Sequence, residues 1–263
     1  VDKESYHSGT SRLSSSGAKE ILRSPKHFQL KYGRQSIKQK PSPAMAFGTA
    51  VHILVLEGEE VFKQSIVADP GINRRTKAGK FEWEELMARY PKVPPHMVFK
   101  AKDIDTMYFL RDAVFDHPVA AELLSEGKPE QYYDWTDPET GAPCKALADW
   151  LKQDAIVDLK TCADASPVGF GKAVYNFKYH LSAEFYRMGF EANNAGVVPQ
   201  WYWIAAEKET CQVAVYTPDE IASSLGRAQC VEAMKIFAEC HRTGRWDSYS
   251  NTAQELVSPA WAR

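Results

Sequence analysis

No two of the five cysteines share a C-x-x-C spacing: Cys144, Cys162, Cys211, Cys230 and Cys240 are scattered and odd in number. Disulfide frameworks, iron–sulfur clusters and structural zinc sites all need paired or clustered thiols, so reduced, partly buried cysteines in a reducing compartment are expected. Long apolar runs are equally scarce. The longest, residues 44–56, covers 13 residues and contains His52, whereas a spanning helix needs about 20, so no membrane segment is expected. The first five residues, Val1 to Ser5, lack the basic start and apolar stretch of a secretory signal. The missing initiator Met suggests a trimmed or excised chain, and a cytoplasmic location is the expectation. Internal repeats and low-complexity tracts are absent as well. Neither sign of charge dominates, with 32 Lys and Arg against 34 Asp and Glu for a net charge of −2.

Against these absences stand 263 residues, 44% of them apolar and 25% charged, which excludes a disordered chain and allows a full core. The near-zero net charge hides two basic segments. Residues 19–40 hold seven Lys and Arg (Lys19, Arg23, Lys26, Lys31, Arg34, Lys38, Lys40) against Glu20 alone, and residues 71–80 hold Arg74, Arg75, Lys77 and Lys80 against no acid. Such segments either hold phosphates locally or form ordinary solvated faces.

Periodicity and capping predict a helix over residues 14–22, then a second opened by Ser24-Pro25 as N-cap and first helical position. Residues 38–43 read as a Pro- and Lys-rich loop. Residues 44–58 predict one apolar helix closed by Gly58 and buried on all sides, with His52 its only ionisable interior residue. Residues 73–126 read as mainly helical, broken at 91–95, with a helix over 101–115. Strands follow at 130–135, 145–151 and 155–160 as an antiparallel meander, with residues 137–141 as a turn. A helix over 170–191, strands at 200–206 and 212–216, and a helix over 218–241 complete the chain. The order predicts a mixed α/β (α+β) fold, a central mixed sheet flanked by helices.

The strands at 145–151 and 155–160 carry charge where burial is expected. Alternation puts Asp158 and Lys160 on one face. If Gln153-Asp154 is a two-residue turn, Lys152 pairs with Ala155 and Leu151 with Ile156, so Asp149 faces Asp158. Two carboxylates about 5 Å apart repel unless a cation lies between them. Hard oxygen ligands favour magnesium or manganese over zinc, and the neighbouring lysine suits a water or a phosphate oxygen. The turn lacks the glycine of a primed hairpin, and a one-residue slip would separate the carboxylates. Strand-end aspartates with an ordinary Lys160 salt bridge fit the same residues.

The spacing Asp149…Asp158-Leu159-Lys160 resembles the D…[D/E]-x-K signature of the restriction-endonuclease-like nucleases. Phe47-Gly48-Thr49-Ala50-Val51-His52 resembles the G-T-A-x-H helix of the exonuclease VIII (RecE) branch, related to lambda exonuclease. Residues 73–80, 135–141, Asp158-Leu159-Lys160-Thr161 and Pro259-Ala260-Trp261-Ala262 resemble that branch too, so the likeness runs over nearly the whole chain.

That resemblance implies a single PD-(D/E)xK exonuclease domain over 1–263, with a basic helical segment at 1–43, a nuclease core at 44–241 and a tail at 242–263. It implies that Asp149 and Asp158 bind Mg2+ (or Mn2+), two ions per site, with the Leu159 carbonyl and His52 as further ligands. It also implies that Lys160 orients the attacking water and that Glu130 supplies a further acidic group. His52 read alone is equally a core histidine bonded to backbone. The helix 179–186 aligns with a Q-x-x-x-Y element in which Tyr186 is present but Ser182 replaces glutamine. Either His180 or Glu184 substitutes, or the contact is absent, or Tyr179, Ser182, Tyr186 and Phe190 are one packed face.

Arg74, Arg75 and Lys77 are candidates for DNA phosphates or for a solvated loop. Arg23, Lys26 and Lys31 are channel candidates without assigned contacts, and Trp83, Trp135 and Trp150 suit packing better than base stacking. The implied activity is 5′→3′ resection of linear double-stranded DNA ends to 3′ single-stranded tails. The resemblance further implies a ring-shaped homotrimer or homotetramer and a single-strand annealing protein as partner.

Overall fold

The computed structural model describes residues 10–33, 41–250 and 252–258. Val1 to Ser5, the basic residues Arg34, Lys38 and Lys40, and the motif Pro259 to Ala262 lie outside the described residues, as does the first half of the loop expected at 38–43.

Five strands build the central sheet: β3 (Lys128–Thr136), β4 (Pro143–Leu151), β5 (Ala155–Cys162), β6 (Gln200–Glu207) and β7 (Val213–Tyr216), in that spatial order. The turn between β3 and β4 forms where Asp137-Pro-Glu-Thr-Gly predicts it. The Asp137 carboxylate accepts from the Thr140 N–H at 2.9 Å and its hydroxyl at 2.6 Å. The next turn also takes the expected register, because Lys152 N–H donates to the Ala155 carbonyl at 2.8 Å. Leu151 therefore pairs with Ile156 and Trp150 with Val157, after which the β4–β5 ladder stops. The two strands splay from that point. On the other side β5 runs parallel to β6 over its full length, from Ala155↔Gln200 to Cys162↔Glu207, which requires a crossover.

That crossover is two helices, α8 (Pro167–Asn176) and α9 (Tyr179–Asn193), not the single helix expected over 170–191. The chain turns at Lys178, which sits in the left-handed region at φ 51°. Ser166 caps α8 through a hydrogen bond accepted from Gly169 N–H at 3.1 Å. A second correction concerns the helix expected over 44–58. The α-helix α3 (Pro43–His52) gives way to a π-helical turn, Ile53–Glu57, closed by Gly58 at φ 96°. Helix α4 (Glu59–Ser65) follows, and α5 (Lys77–Arg89) carries the second basic segment at its start. The sequence also gives no warning of a small parallel pair, β1 (Val67–Asp69) with β2 (Val98–Lys100), whose three residues each are too short to show alternation.

One face of the sheet, through Val157, Leu159, Ile204 and Ala206, packs on α3, the π-helical turn, α6 (Ala101–Asp116) and α7 (Pro118–Ser125). The other face, through Ile156, Trp201, Trp203 and Ala205, packs on α8 and α9. Beyond α9 lie α10 (Glu220–Thr243), α1 (Ser15–Ile21) and α2 (Pro25–Tyr32), joined through Leu181, Phe185, Phe237 and Phe28. Ser14 and Ser24 cap α1 and α2 as expected, accepting from Gly17 and His27 N–H at 3.1 and 3.2 Å. The amino-terminal segment is thus part of the core. Leu13, fully buried, donates to the Pro143 carbonyl and accepts from Lys145 N–H, both at 2.8 Å. It occupies the edge of β4 that β5 abandons.

Among the described residues no helix is long and apolar enough to cross a membrane. All five cysteines are free, with Cys144, Cys230 and Cys240 buried.

Candidate functional site

The splay between β4 and β5 opens a gap through which side chains from both faces of the sheet meet. Asp158 and Lys160 share the β5 face that carries Ile156, as alternation predicts. The Lys160 ammonium lies 2.5 Å from Asp158 Oδ1 and 3.9 Å from Asp149 Oδ2. From the opposite face His52, at the end of α3, reaches through the gap. Its Nδ1 stands 3.5 Å from Asp149 Oδ2, and its Nε2 meets the carbonyl oxygen of Leu159. Asp149, Asp158, Lys160, His52 and the Leu159 carbonyl are therefore brought together, although Asp149 and Asp158 are not a ladder pair. Gly48 lets α3 come this close, since a Cβ there would stand 3.2 Å from Thr161 Oγ1 on β5.

Burial sets the electrostatics. Removal from water, reinforced by Asp149 and opposed by Lys160, raises the Asp158 pKa to about 6. For Lys160 burial works to depress the pKa, but Asp158 and Asp149 outweigh it and hold the amine protonated. Oδ2 of Asp149 and Oδ2 of Asp158 are buried and accept no hydrogen bond. Buried carboxylate oxygens left without donors are costly. Two of them in one gap, beside an imidazole nitrogen and a backbone carbonyl, are a donor set that suits a divalent cation. Among the described residues no three His, Cys, Asp or Glu side chains form a ligating cluster.

Glu130 sits on β3 opposite Asp149 in register, between the pairs Pro129↔Trp150 and Gln131↔Ala148, but is itself skipped by the ladder. Its φ of 53° is left-handed, a conformation that costs a non-glycine residue about 1–3 kcal/mol and concentrates at functional sites. Both ladders that flank Asp149 are therefore interrupted at that residue.

The positions aligned with Q-x-x-x-Y make packing and hydrogen-bond contacts in the structure. His180 is buried, with Nδ1 at 3.2 Å from the Val174 carbonyl and Nε2 at 3.2 Å from Gln229 Oε1. Glu184, also buried, pairs with Arg187 at 2.5 Å. Tyr186 stacks on Trp201 with ring centroids 5.8 Å apart. At the start of the same helix the Tyr179 ring lies 5.3 Å from the Lys160 ammonium. Only the helical spacing of Tyr179 with Tyr186 hints at this from the sequence.

Arg74 and Arg75 lie exposed on the loop into α5 and Lys77 lies exposed at its first residue, and the Arg74 guanidinium covers the Trp83 ring at 4.2 Å. Arg74 also borders a groove of about 390 Å3 shared with Phe47, Phe99, Lys100 and Lys208. Trp135 is buried against Phe185, and Trp150 packs beside the core of the α3 face.

The model of one protein family, described as a PDDEXK-like domain of unknown function (DUF3799), matches residues 14–258. The chain belongs to this PDDEXK-like family. Membership agrees with the mixed sheet flanked by helices, and PDDEXK-like nucleases generally use divalent metals. A crystal structure of a "Putative exonuclease" from Eubacterium rectale is similar in fold, with a TM-score of 0.62 at 14% identity over 98% of this chain and 96% of that one. The crystal structure of SSO0001 overlaps 62% of this PDDEXK-like chain and 70% of its own at 11% identity, with a TM-score of only 0.30. No curated protein matches the sequence.

Proposed function

We propose that this PDDEXK-like protein is a magnesium-dependent exodeoxyribonuclease of the exonuclease VIII (RecE) type, acting as one domain. It degrades one strand of linear double-stranded DNA from the 5′ end and leaves a 3′ tail. The observation that carries the reading is the pair of buried carboxylate oxygens without donors, on Asp149 and Asp158, set beside Lys160, His52 and the Leu159 carbonyl. The name of the Eubacterium rectale protein supports exonuclease chemistry, while polarity rests on the motif resemblance.

Asp149, Asp158, the Leu159 carbonyl and His52 hold the ions. Bound there, two magnesium ions, or manganese in their place, would supply an acidified water and charge neutralisation at the leaving 3′ oxygen. Lys160, kept protonated by the two aspartates, holds the attacking water in line with the phosphorus. Glu130, opposite Asp149, supplies a further carboxylate to the same gap. Arg74, Arg75 and Lys77 hold the phosphates of the duplex, and Tyr186 supports that interface from its packed position. A homotrimeric or homotetrameric ring enclosing the duplex, and a single-strand annealing protein that takes over the tail, complete the proposal.

The test is digestion of linear duplex labelled separately at its 5′ and 3′ ends, with magnesium, with EDTA, and with the Asp158→Ala and Lys160→Ala variants. Early magnesium-dependent release of 5′ label is expected, lowered at least about a hundredfold in Lys160→Ala while DNA binding persists. Early 3′ release or internal cuts would overturn the polarity. No cleavage with any divalent metal would overturn the enzyme and leave a DNA-end-binding protein.

A further inference from the structure

The catalytic gap has a second lysine, brought there by the amino-terminal segment. Leu13 is hydrogen-bonded on both sides to β4 where β5 departs, and Ser14 caps α1 immediately after it. Ala18 and Ile21 of α1 are buried in the α9–α10 core, so the helix is fixed in rotation. Between them Lys19 projects toward the gap. Its ammonium lies 5.5 Å from the Tyr179 ring, the same ring that Lys160 approaches to 5.3 Å. Phe170 and Phe177 hold Tyr179 in place, with ring centroids at 6.3 and 5.6 Å.

Lys19 is half-buried and stands near a like charge. Burial first, and Lys160 second, pull its pKa down to about 8, with only partial relief from Asp158. Among the described residues it makes no ion pair, unlike its neighbour Glu20, which pairs with Lys31 at 2.7 Å. A half-buried ammonium without a counter-ion gains from an anion that pairs with it. The π face of Tyr179 offers only a modest substitute. Lys19 and Lys160 thus set two ammonium groups at one ring beside the gap, which suits an anion from outside the chain.

We infer that Lys19 and Tyr179 form a phosphate subsite beside Lys160, which holds a non-bridging oxygen of the phosphodiester strand entering the gap. The inference rests on the proposed DNA-cleaving activity for its ligand class. Lys160 serves the attacking water, whereas Lys19 neutralises and positions the strand, so Lys19 is a binding residue whose loss acts first on affinity.

The experiment compares wild type with Lys19→Met, Lys19→Arg and Lys160→Ala. Binding of a linear duplex is read in EDTA across a salt series, cleavage is read with magnesium, and the thermal midpoint is read without DNA. Lys19→Met is expected to lower affinity about tenfold and to reduce the salt slope by about one, the signature of one lost phosphate contact. It should raise KM more than it lowers kcat. Its thermal midpoint should stay close to that of wild type, because the side chain is half-buried and makes no ion pair among the described residues. Lys19→Arg should keep the slope, and Lys160→Ala should keep binding while losing cleavage. An unchanged slope and unchanged kcat/KM in a folded Lys19→Met variant would overturn the subsite, as would a fall in thermal midpoint with no change in slope. Slope loss in Lys19→Met beside a wild type that never cleaves would keep the subsite and overturn the nuclease reading instead.

Discussion

Asp158 feels three pulls at once, from burial, from Asp149 and from Lys160, and burial wins by enough to bring its pKa to about 6. Because that value lies above the ordinary carboxylate range near 3.9, folding favours the protonated acid. Its contribution to stability is complete below about pH 4 and is lost as the pH rises through about 6. A divalent cation needs the ionised form, so its affinity should follow the opposite course. Magnesium at a hundredfold excess over its dissociation constant at pH 8 is expected to raise the thermal midpoint by roughly 5–10 °C there and by about half as much at pH 5, where about a tenth of Asp158 is ionised. In Asp158→Asn the magnesium-dependent shift should vanish at both values. Equal shifts at pH 5 and pH 8 would place the ion away from this carboxylate. The grouping of Asp149, Asp158 and Lys160 could be read in the sequence because strand alternation and a two-residue turn are local rules. Tyr179 and Lys19 could not be, since each reaches the gap from an element far away in the chain.

At the level of elements, the decisive feature is that β4 and β5 pair over two residues and then part. The register was readable from the turn, but the splay was not, because it depends on Leu13 taking the abandoned edge of β4 from more than a hundred residues away. The break between α8 and α9 escaped notice for a related reason. Its apolar spacing continues across Lys178, and only the left-handed backbone there reveals that the helix restarts. Helix existence and capping, by contrast, were readable wherever Ser or Pro marked the start. The position of α9, and with it Tyr179, depends on close contact with α10 at Gly226, where a Cβ would stand 2.4 Å from the His180 carbonyl oxygen. Gly226→Ala must push the two helices apart against backbone, at a cost of roughly 1–3 kcal/mol. Urea unfolding should show a lower midpoint with an unchanged slope. Cleavage should fall further than stability alone explains at temperatures where the variant stays folded, because Tyr179 moves with its helix. A variant with wild-type midpoint and activity would show that the contact relaxes freely.

For the molecule as a whole, a net charge of −2 gives no general attraction for a polyanion. Duplex binding must therefore run through the local basic segments against the repulsion of an otherwise acidic body. Arg74 and Arg75 on the exposed loop and Lys77 at the start of α5 lie close in the chain, and Arg74 borders the groove that also holds Phe47, Lys100 and Lys208 beside Asp69 and Asp103. Arg74 is further held in place by its stack on Trp83. A phosphate path from this loop to the carboxylate gap would pass along α3, which carries both Phe47 and His52. Each contact on such a path releases about one counter-ion on binding. Replacing Arg74, Arg75 and Lys77 together with Ala should then reduce the slope of log affinity against log salt by about three. The loss of affinity should be largest at low salt and independent of DNA sequence, with the thermal midpoint unchanged because all three side chains are exposed. Lys19→Met combined with the triple variant should reduce the slope by about one more, since the two sites contact different phosphates and their effects add. If the triple variant instead keeps the wild-type slope, the duplex does not cross this loop, and the amino-terminal cluster of Arg23, Lys26 and Lys31 becomes the path to alter next.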